Sequence, residues 1–404
     1  MTQNYFIYLL KTILFIGHDA KRAGAQLILL HILQELKARG IATHTLLAES
    51  GPLEDQYRQA SSLTILPVQP SIIFSSKIDR ILNVLGLLSY FKTRTETRQK
   101  DEFKAEIKSK NIGLIFGNTI AIGPAYEAVQ FLNVPFVLFV HELAMSVKMY
   151  STPDKIANLL NHTNHLITPS RAVSKYFVQT LGFAAERNST FKIVNIASML
   201  AGIEKGLLVD VRQKLGLPPN AVLIGSCGNA EWRKGNDVFM AVAQNVINRY
   251  PNRPVYFVWV GISNESELYY IQRSDAQKMG LSDRIIHIDP TPDIFQYVSQ
   301  LDVFGLFSRE DPYPLVVLEA ALAQKPIVCF ENAGGAPEFV ETDCGFVVPY
   351  LDVVTMADKI SYLIDNPAIK IQLGQAAKQK VLTRHPTAPN IDKALAIINS
   401  LILK

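Results

Sequence analysis

Long hydrophobic runs are missing from this chain of 404 residues: no uninterrupted apolar stretch is long enough to cross a bilayer. The apolar N-terminus is broken by Lys11, and no small-residue cleavage site follows. Residues 12–17 therefore read as a first buried strand, not as a signal peptide or a membrane span. Cysteine is scarce. Cys227, Cys329 and Cys344 make an odd number with no CxxC pair, which argues against a disulfide framework and for a reducing cytosol. Small buried thiols are favoured over metal ligands. No D-x-D and no histidine cluster marks a metal site. A strong excess of one charge is lacking as well: 40 Lys and Arg face 36 Asp and Glu, and the net charge of +4 is weaker than a nucleic-acid binder usually carries. Short-period repeats and low-complexity tracts are absent.

What is present is a folded composition, 48% hydrophobic and 19% charged, in a chain long enough for two domains. Short apolar strands alternate with amphipathic helices. Strand 13–16 leads to a helical pattern over 27–39 that stops at Gly40, and strands follow at 42–47, 112–116, 136–140 and 165–168. The pattern restarts after a helix at 210–217 and a Pro218-Pro219-Asn220 turn, with strands at 221–225, 255–261, 285–288, 303–306 and 327–330. This is the signature of βαβ units and parallel sheets, so the fold class is α/β with two Rossmann-like, doubly wound domains. The boundary falls near 198–206, giving an N-terminal domain over 1–205 and a C-terminal domain over 206–385. Residues 386–404 form a terminal helix that can pack back on the first domain. Ligands on such sheets bind at the carboxyl edge of the strands, so two in tandem imply a central cleft.

Residues 77–110 differ in character, with nine Lys or Arg against five Asp or Glu. The apolar stretch 81–91 inside it fits a membrane surface or a lipid-like acceptor. A solvated helical pair packed on the first domain fits as well, and is the favoured reading.

The most informative window runs from Ser308 to Ala320. Pro312 and Pro314 forbid an early helix, so Glu310 and Asp311 sit on a loop. A helix starting near Pro314 leaves the amides of Leu315 and Val316 free for an anion such as a diphosphate. Glu319 then falls inside that helix, where a carboxylate accepts hydrogen bonds from sugar hydroxyls. Asp311 and Glu319 have seven residues between them. With the surrounding Pro-Leu-x-x-Leu-Glu-Ala, the window resembles the E-x7-E motif of the retaining GT-B glycosyltransferases of family 4. Here Asp311 replaces the first Glu and Glu310 precedes it, so either acid is open to face the donor sugar. Gly334 and Gly335, in a segment similar to the family's G-G-x-P-E, let backbone approach a ligand closely. The loop from Gly225 to Asp237 resembles the family's G-R-x-x-x-x-K-G-x-D. Lys234 holds the Lys place, Asn229 stands where the family has Arg, and Arg233 is available to compensate. In the first domain, Gly24 matches the glycine of the family's first loop, with His18 and Asp19 beside it as acceptor contacts. For Asp19 a capping role is the plain alternative. His141, at the end of a strand with Glu142, matches a family histidine near donor sugar and acceptor; Asn118 and Ser170-Arg171 are weaker candidates of the same kind.

The resemblance implies transfer of a sugar from a nucleoside-diphosphate sugar to a saccharide or lipid-linked acceptor in cell-surface polysaccharide or glycolipid synthesis. Retention at the anomeric carbon, no metal and no cofactor go with it. Asp311 would contact the sugar, Glu319 the ribose, and Lys234 the diphosphate. A UDP-sugar is the first choice of donor and a GDP-sugar the second. The chain is placed in the cytoplasm, with the inner face of the membrane open to it through 77–110. Competing readings are an inactive GT-B scaffold, a nucleotide-sugar epimerase or phosphorylase of the same fold, and a two-lobed solute-binding protein.

Overall fold

The computed structural model of the chain describes residues 11–67 and 87–403. Residues 81–86 of the apolar stretch lie outside them, and from there the chain continues as the helix Leu87–Ser109.

The first sheet contains β1 (Thr12–Gly17), β2 (Thr43–Leu47), β3 (Ser62–Ile65), β4 (Ile112–Asn118), β5 (Phe136–Phe139), β6 (His165–Thr168) and β7 (Asn188–Thr190). Their order across it is β3-β2-β1-β4-β5-β6-β7. The second contains β8 (Val222–Cys227), β9 (Val255–Val260), β10 (Ile285–Ile288), β11 (Val303–Leu306), β12 (Ile327–Phe330) and β13 (Gly345–Val348), in the order β10-β9-β8-β11-β12-β13. The registered pairs β1–β2, β1–β4 and β4–β5 are parallel, as are β8–β9, β8–β11 and β11–β12. Helices cover both faces of such sheets, which is why β4, β5, β11 and β12 are buried along their whole length and read as unbroken apolar runs. In each sheet the strand order reverses beside the first strand, between β1 and β4 and between β8 and β11. Ligands on doubly wound sheets bind outside the carboxyl ends at that point.

Packing divides the chain into two units. One takes the chain up to Val140, Val147–Ile167 and the stretch from Lys393; the other takes His141–Ser146 and Thr168–Asp392. The stretch 198–206 is the helix Ile196–Gly206, and a Cβ at Gly202 would meet the Phe295 ring at 2.3 Å. In the second unit Phe239 centres an aromatic group, edge-on to Phe257, Trp259 and Phe307 at 5.3–5.6 Å. Asp302 fastens the amino ends of β8 and β11. Its backbone amide donates to Leu223 O at 2.7 Å, and its carboxylate accepts from Leu223 N, Arg212 and Lys370.

Several elements depart from the sequence reading. The first helix begins at Gly24, three residues early, behind an extended Ala23 with no side-chain cap. The helix expected over 210–217 is a single turn, Val211–Lys214, capped by Asp210 and ended by Gly216 at φ +66°. The terminal helix expected over 386–404 runs Thr387–Ile402. The three cysteines are buried and free. Among the described residues, no helix is long and apolar enough to cross a membrane, and no three His, Cys, Asp or Glu side chains group as metal ligands would.

Asp302→Ala removes an acceptor of three charge-assisted or backbone bonds. It should lower unfolding free energy by about 2–3 kcal/mol in urea titration, with Asp302→Asn losing less.

Candidate functional site

The loops that leave β8 and β11 meet at the carboxyl edge of the second sheet. After β11, residues 307–314 run irregularly until Pro314, whose φ of −67° and ψ of 125° keep it extended as the cap of the helix Leu315–Leu322. Val317 N reaches back to Pro314 O at 3.3 Å. That leaves the amides of Leu315 and Val316 as open donors of the first turn, at the positive end of the helix dipole.

Asp311 is fixed by its backbone before its side chain. Its amide donates to Ala333 O at 2.7 Å, and its carbonyl accepts from Gly335 N at 3.1 Å, across a parallel bridge with Gly334. Gly334 stands at φ +121°, and a Cβ there would lie 1.9 Å from Asp311 O. The backbone that these glycines admit is therefore the acidic loop itself. The Asp311 carboxylate lies 2.5 Å from Lys234 Nζ, with both side chains largely buried. Lys234 ends the turn Trp232–Lys234, and Gly235 follows at φ +74°, so close to Phe307 that a Cβ would meet its carbonyl oxygen at 2.0 Å.

Glu310, the neighbouring acid, is occupied elsewhere. Its carboxylate accepts from Met145 N at 3.0 Å and Ser146 N at 3.2 Å, at the start of the helix Ala144–Tyr150. Arg233 pairs with Glu231 at 2.7 Å, and its carbonyl accepts from Arg309 N and Glu310 N. Asn229 is exposed on the same loop. Glu319 has a different environment. It is 8% exposed, its Oε2 has no partner among the described residues, and burial pushes its carboxyl up to about 7.

His141 and Glu142 pack with the second unit, and Glu142 accepts from His141 N at 2.8 Å. Desolvation, then the charge of Lys192, drives the His141 pKa well down, so the imidazole is neutral. Ser170 donates to Pro312 O at 2.8 Å, and the amides of Arg171 and Ala172 donate to Glu338. Lys192, which the motifs do not mark, is 5% exposed and donates to Tyr313 O at 2.9 Å. A charged residue in the apolar run Phe191-Lys-Ile-Val194 is the signal that could have found it.

His18, Asp19, Gly24 and Asn118 form a separate group in the first unit, around the end of β1. Asp19 accepts from Gln26 Nε2 at 2.6 Å and Lys21 N at 3.0 Å, with His18 Nε2 at 3.0 Å. Burial raises its pKa, but these hydrogen bonds and the His18 and Lys21 charges outweigh it and hold the carboxyl below its ordinary value. Asp19 thus ties its own loop rather than capping the helix that begins at Gly24. Asn118 donates to Ala25 O at 2.9 Å, fastening β4 to the start of that helix.

Residues 219–366 match the family model described as glycosyl transferases group 1. The chain is 26% identical over 174 residues to a D-inositol 3-phosphate glycosyltransferase of Corynebacterium urealyticum, an alignment covering 42% of this chain and 41% of that protein. It is 26% identical over 191 residues to the lipopolysaccharide core biosynthesis mannosyltransferase LpcC of Rhizobium leguminosarum bv. viciae, covering 46% and 52%. The chain thus spans roughly half or less of the length of these curated relatives. The crystal structure of Anabaena Alr3699/HepE in complex with UDP and glucose matches with a TM-score of 0.76 at 19% identity, over 97% of this chain and 100% of that one. That likeness shows the fold, two parallel-sheet Rossmann-like domains of the GT-B class. The family model and the relatives support a group 1 glycosyltransferase.

In the unfolded chain the Glu319 carboxyl has its ordinary value of 4.5, and in the folded chain about 7. The stability this group confers is whole below the lower value and is lost as pH rises through the upper one. Glu319→Gln, neutral throughout, should therefore exceed wild type by roughly 1–3 kcal/mol near pH 8, a gain that disappears near pH 4.5. Denaturant titrations at the two pH values check this, and an equal difference at both would contradict it.

Proposed function

We propose that this protein is a retaining glycosyltransferase of family 4 that moves a hexose from a nucleoside-diphosphate sugar to a saccharide or lipid-linked acceptor. The observation that carries the reading is the buried Lys234–Asp311 pair, with the unpartnered acid Glu319 one and a half turns into the following helix. Departure of the diphosphate develops negative charge. Lys234 and the amides of Leu315 and Val316 meet it with a cation and two oriented donors, which water cannot match without reorganising. Asp311, held by Lys234, presents its other carboxylate oxygen to sugar hydroxyls. Glu319 accepts from the ribose hydroxyls and gains the partner it lacks. Glu310 is engaged by the Met145 and Ser146 amides, which favours Asp311 as the acid that faces the sugar. His141, kept neutral, serves as a hydrogen-bond partner to sugar or acceptor rather than as an acid. No carboxylate is placed here as a covalent nucleophile, so attack on the face from which the leaving group departs is the route to retention.

A UDP-sugar is the first choice of donor, supported by the UDP bound in Alr3699/HepE, and a GDP-sugar is the second. The likeness to a lipopolysaccharide mannosyltransferase supports a cell-surface glycan or glycolipid as product, made in the cytoplasm.

A thermal-shift screen with uridine, guanosine and adenosine diphosphate sugars tests the reading. At a hundredfold excess over Kd the cognate donor should stabilise by about 2.7 kcal/mol. Glu319→Ala should abolish the shift, and Lys234→Ala should lower turnover by about a hundredfold or more. The anomeric configuration of the product, read by proton NMR, decides retention. A protein that binds donor but neither transfers nor hydrolyses it would be the inactive scaffold.

A further inference from the structure

The chain leaves β5 through the turn His141–Ser146, which packs with the second unit. Two contacts hold the turn there. Leu143, 8% exposed, lies against Gly334: a Cβ on that glycine would stand 3.2 Å from Leu143 Cδ1. The Glu310 carboxylate accepts from Met145 N at 3.1 Å through Oε1 and 3.0 Å through Oε2, and from Ser146 N at 3.2 Å through Oε1. Both points of attachment belong to the loops that fix Asp311. Glu310 directly precedes it in the chain, and Gly334 forms the parallel bridge with it. The two amides open the helix Ala144–Tyr150, so nothing within that helix accepts from them. An ionised acceptor binds them roughly twice as strongly as a neutral one. His141 lies two residues before Leu143 and four before Met145, and its own amide donates to Glu142 at 2.8 Å. With Leu143, Met145 and Ser146 fixed, the place of the imidazole follows from theirs.

Building on the glycosyltransferase reading, we propose that Glu310 is a positioning residue for His141. Its carboxylate seats the 141–146 turn on the loop that carries Asp311, so the histidine and the aspartate reach the reacting centre as parts of one assembly. The adjacent acids then divide the work: Asp311 meets the sugar, and Glu310 holds the segment that brings the histidine. Without Glu310 the turn keeps the Leu143 contact, which is apolar and sets no direction. The imidazole then loses its fixed place, and a shift of about 1 Å in a positioned group costs up to about a hundredfold in rate.

The test is kcat and donor KM, at one pH, for wild type, Glu310→Ala, Glu310→Gln, His141→Ala and the double variant Glu310→Ala/His141→Ala. Glu310→Ala should lower kcat by about tenfold to a hundredfold and move donor KM by less than about twofold. Glu310→Gln should recover part of the loss, because both amides lie within 3.2 Å of Oε1 and one amide oxygen can serve them. The double variant should be slower than His141→Ala by no more than about twofold, since Glu310 acts through the histidine. A residue that only stabilises the fold would give losses that multiply. Circular dichroism establishes that each variant is folded, and if Glu310→Ala is not, Glu310→Gln in the two His141 backgrounds decides alone. Four results overturn the proposal: wild-type kcat in Glu310→Ala, a raised donor KM with kcat unchanged, wild-type turnover in His141→Ala, or losses that multiply. Each leaves the glycosyltransferase reading intact, because wild-type turnover carries that. Absence of turnover with every nucleotide sugar tried removes that reading and this inference together.

Discussion

One buried ion pair, Lys234 to Asp311, organises the carboxyl edge of the second sheet. Taking two charges out of water costs several kcal/mol per ion, and only close contact with further hydrogen bonding offsets it. The contact is made at 2.5 Å, and the chain is shaped to allow it. Gly235 lets the loop after β8 lie against Phe307, and Gly334 lets the loop after β12 lie against Asp311. Neither position tolerates a Cβ, because the nearest atom in both cases is a backbone oxygen that cannot turn aside. The glycines and the ion pair are thus one device: three loops brought within backbone contact so that an acid and a base from different strands meet.

The acidic turn has no regular structure, yet it is pinned on several sides. Glu310 accepts from two amides at the start of one short helix, and Glu338 from two at the start of another. Ser170 donates to Pro312 O and Lys192 to Tyr313 O. Each satisfies a backbone group that the prolines and the helix start would otherwise leave open. This is how a loop that cannot hydrogen-bond to itself holds a carboxylate in one place, and it accounts for acids that the motif alone would assign to ligands.

Much of this was legible in the sequence, for identifiable reasons. Parallel strands buried on both faces are unbroken apolar runs, so β11 and β12 were bounded to the residue, as were β6 and the partly buried edge strand β10. The start of the Leu315–Leu322 helix was legible because proline dictates it, and Glu319 inherited its place from that. The partners of the acids were not legible. Glu310 meets Met145, Ser170 meets Pro312, and Lys192 meets Tyr313 across more than a hundred residues each, and no local spacing encodes such contacts. β3, β7 and β13, short edge strands that are only partly buried, were missed. The capping role offered for Asp19 does not occur: the helix at Gly24 has no side-chain cap, and Asp19 accepts from Lys21 N and Gln26 Nε2.

The charges of the site also answer an apparent contradiction, acids placed where a diphosphate is to bind. Asp311 adds little repulsion, because Lys234 touches it. Glu319 adds little below neutrality, because burial keeps its proton on. Lys234 therefore answers the Asp311 charge in contact, and burial holds the Glu319 charge back below about pH 7. Glu319 holds an unfavourable arrangement, a desolvated carboxyl whose Oε2 has no partner among the described residues. A ligand hydroxyl donating to it would relieve that cost as well as forming a bond. Part of the binding free energy in the proposed reaction would then come from instability already present in the free protein. A site arranged in this way discriminates sharply, since a ligand lacking the hydroxyl leaves the carboxyl unsatisfied and gains nothing.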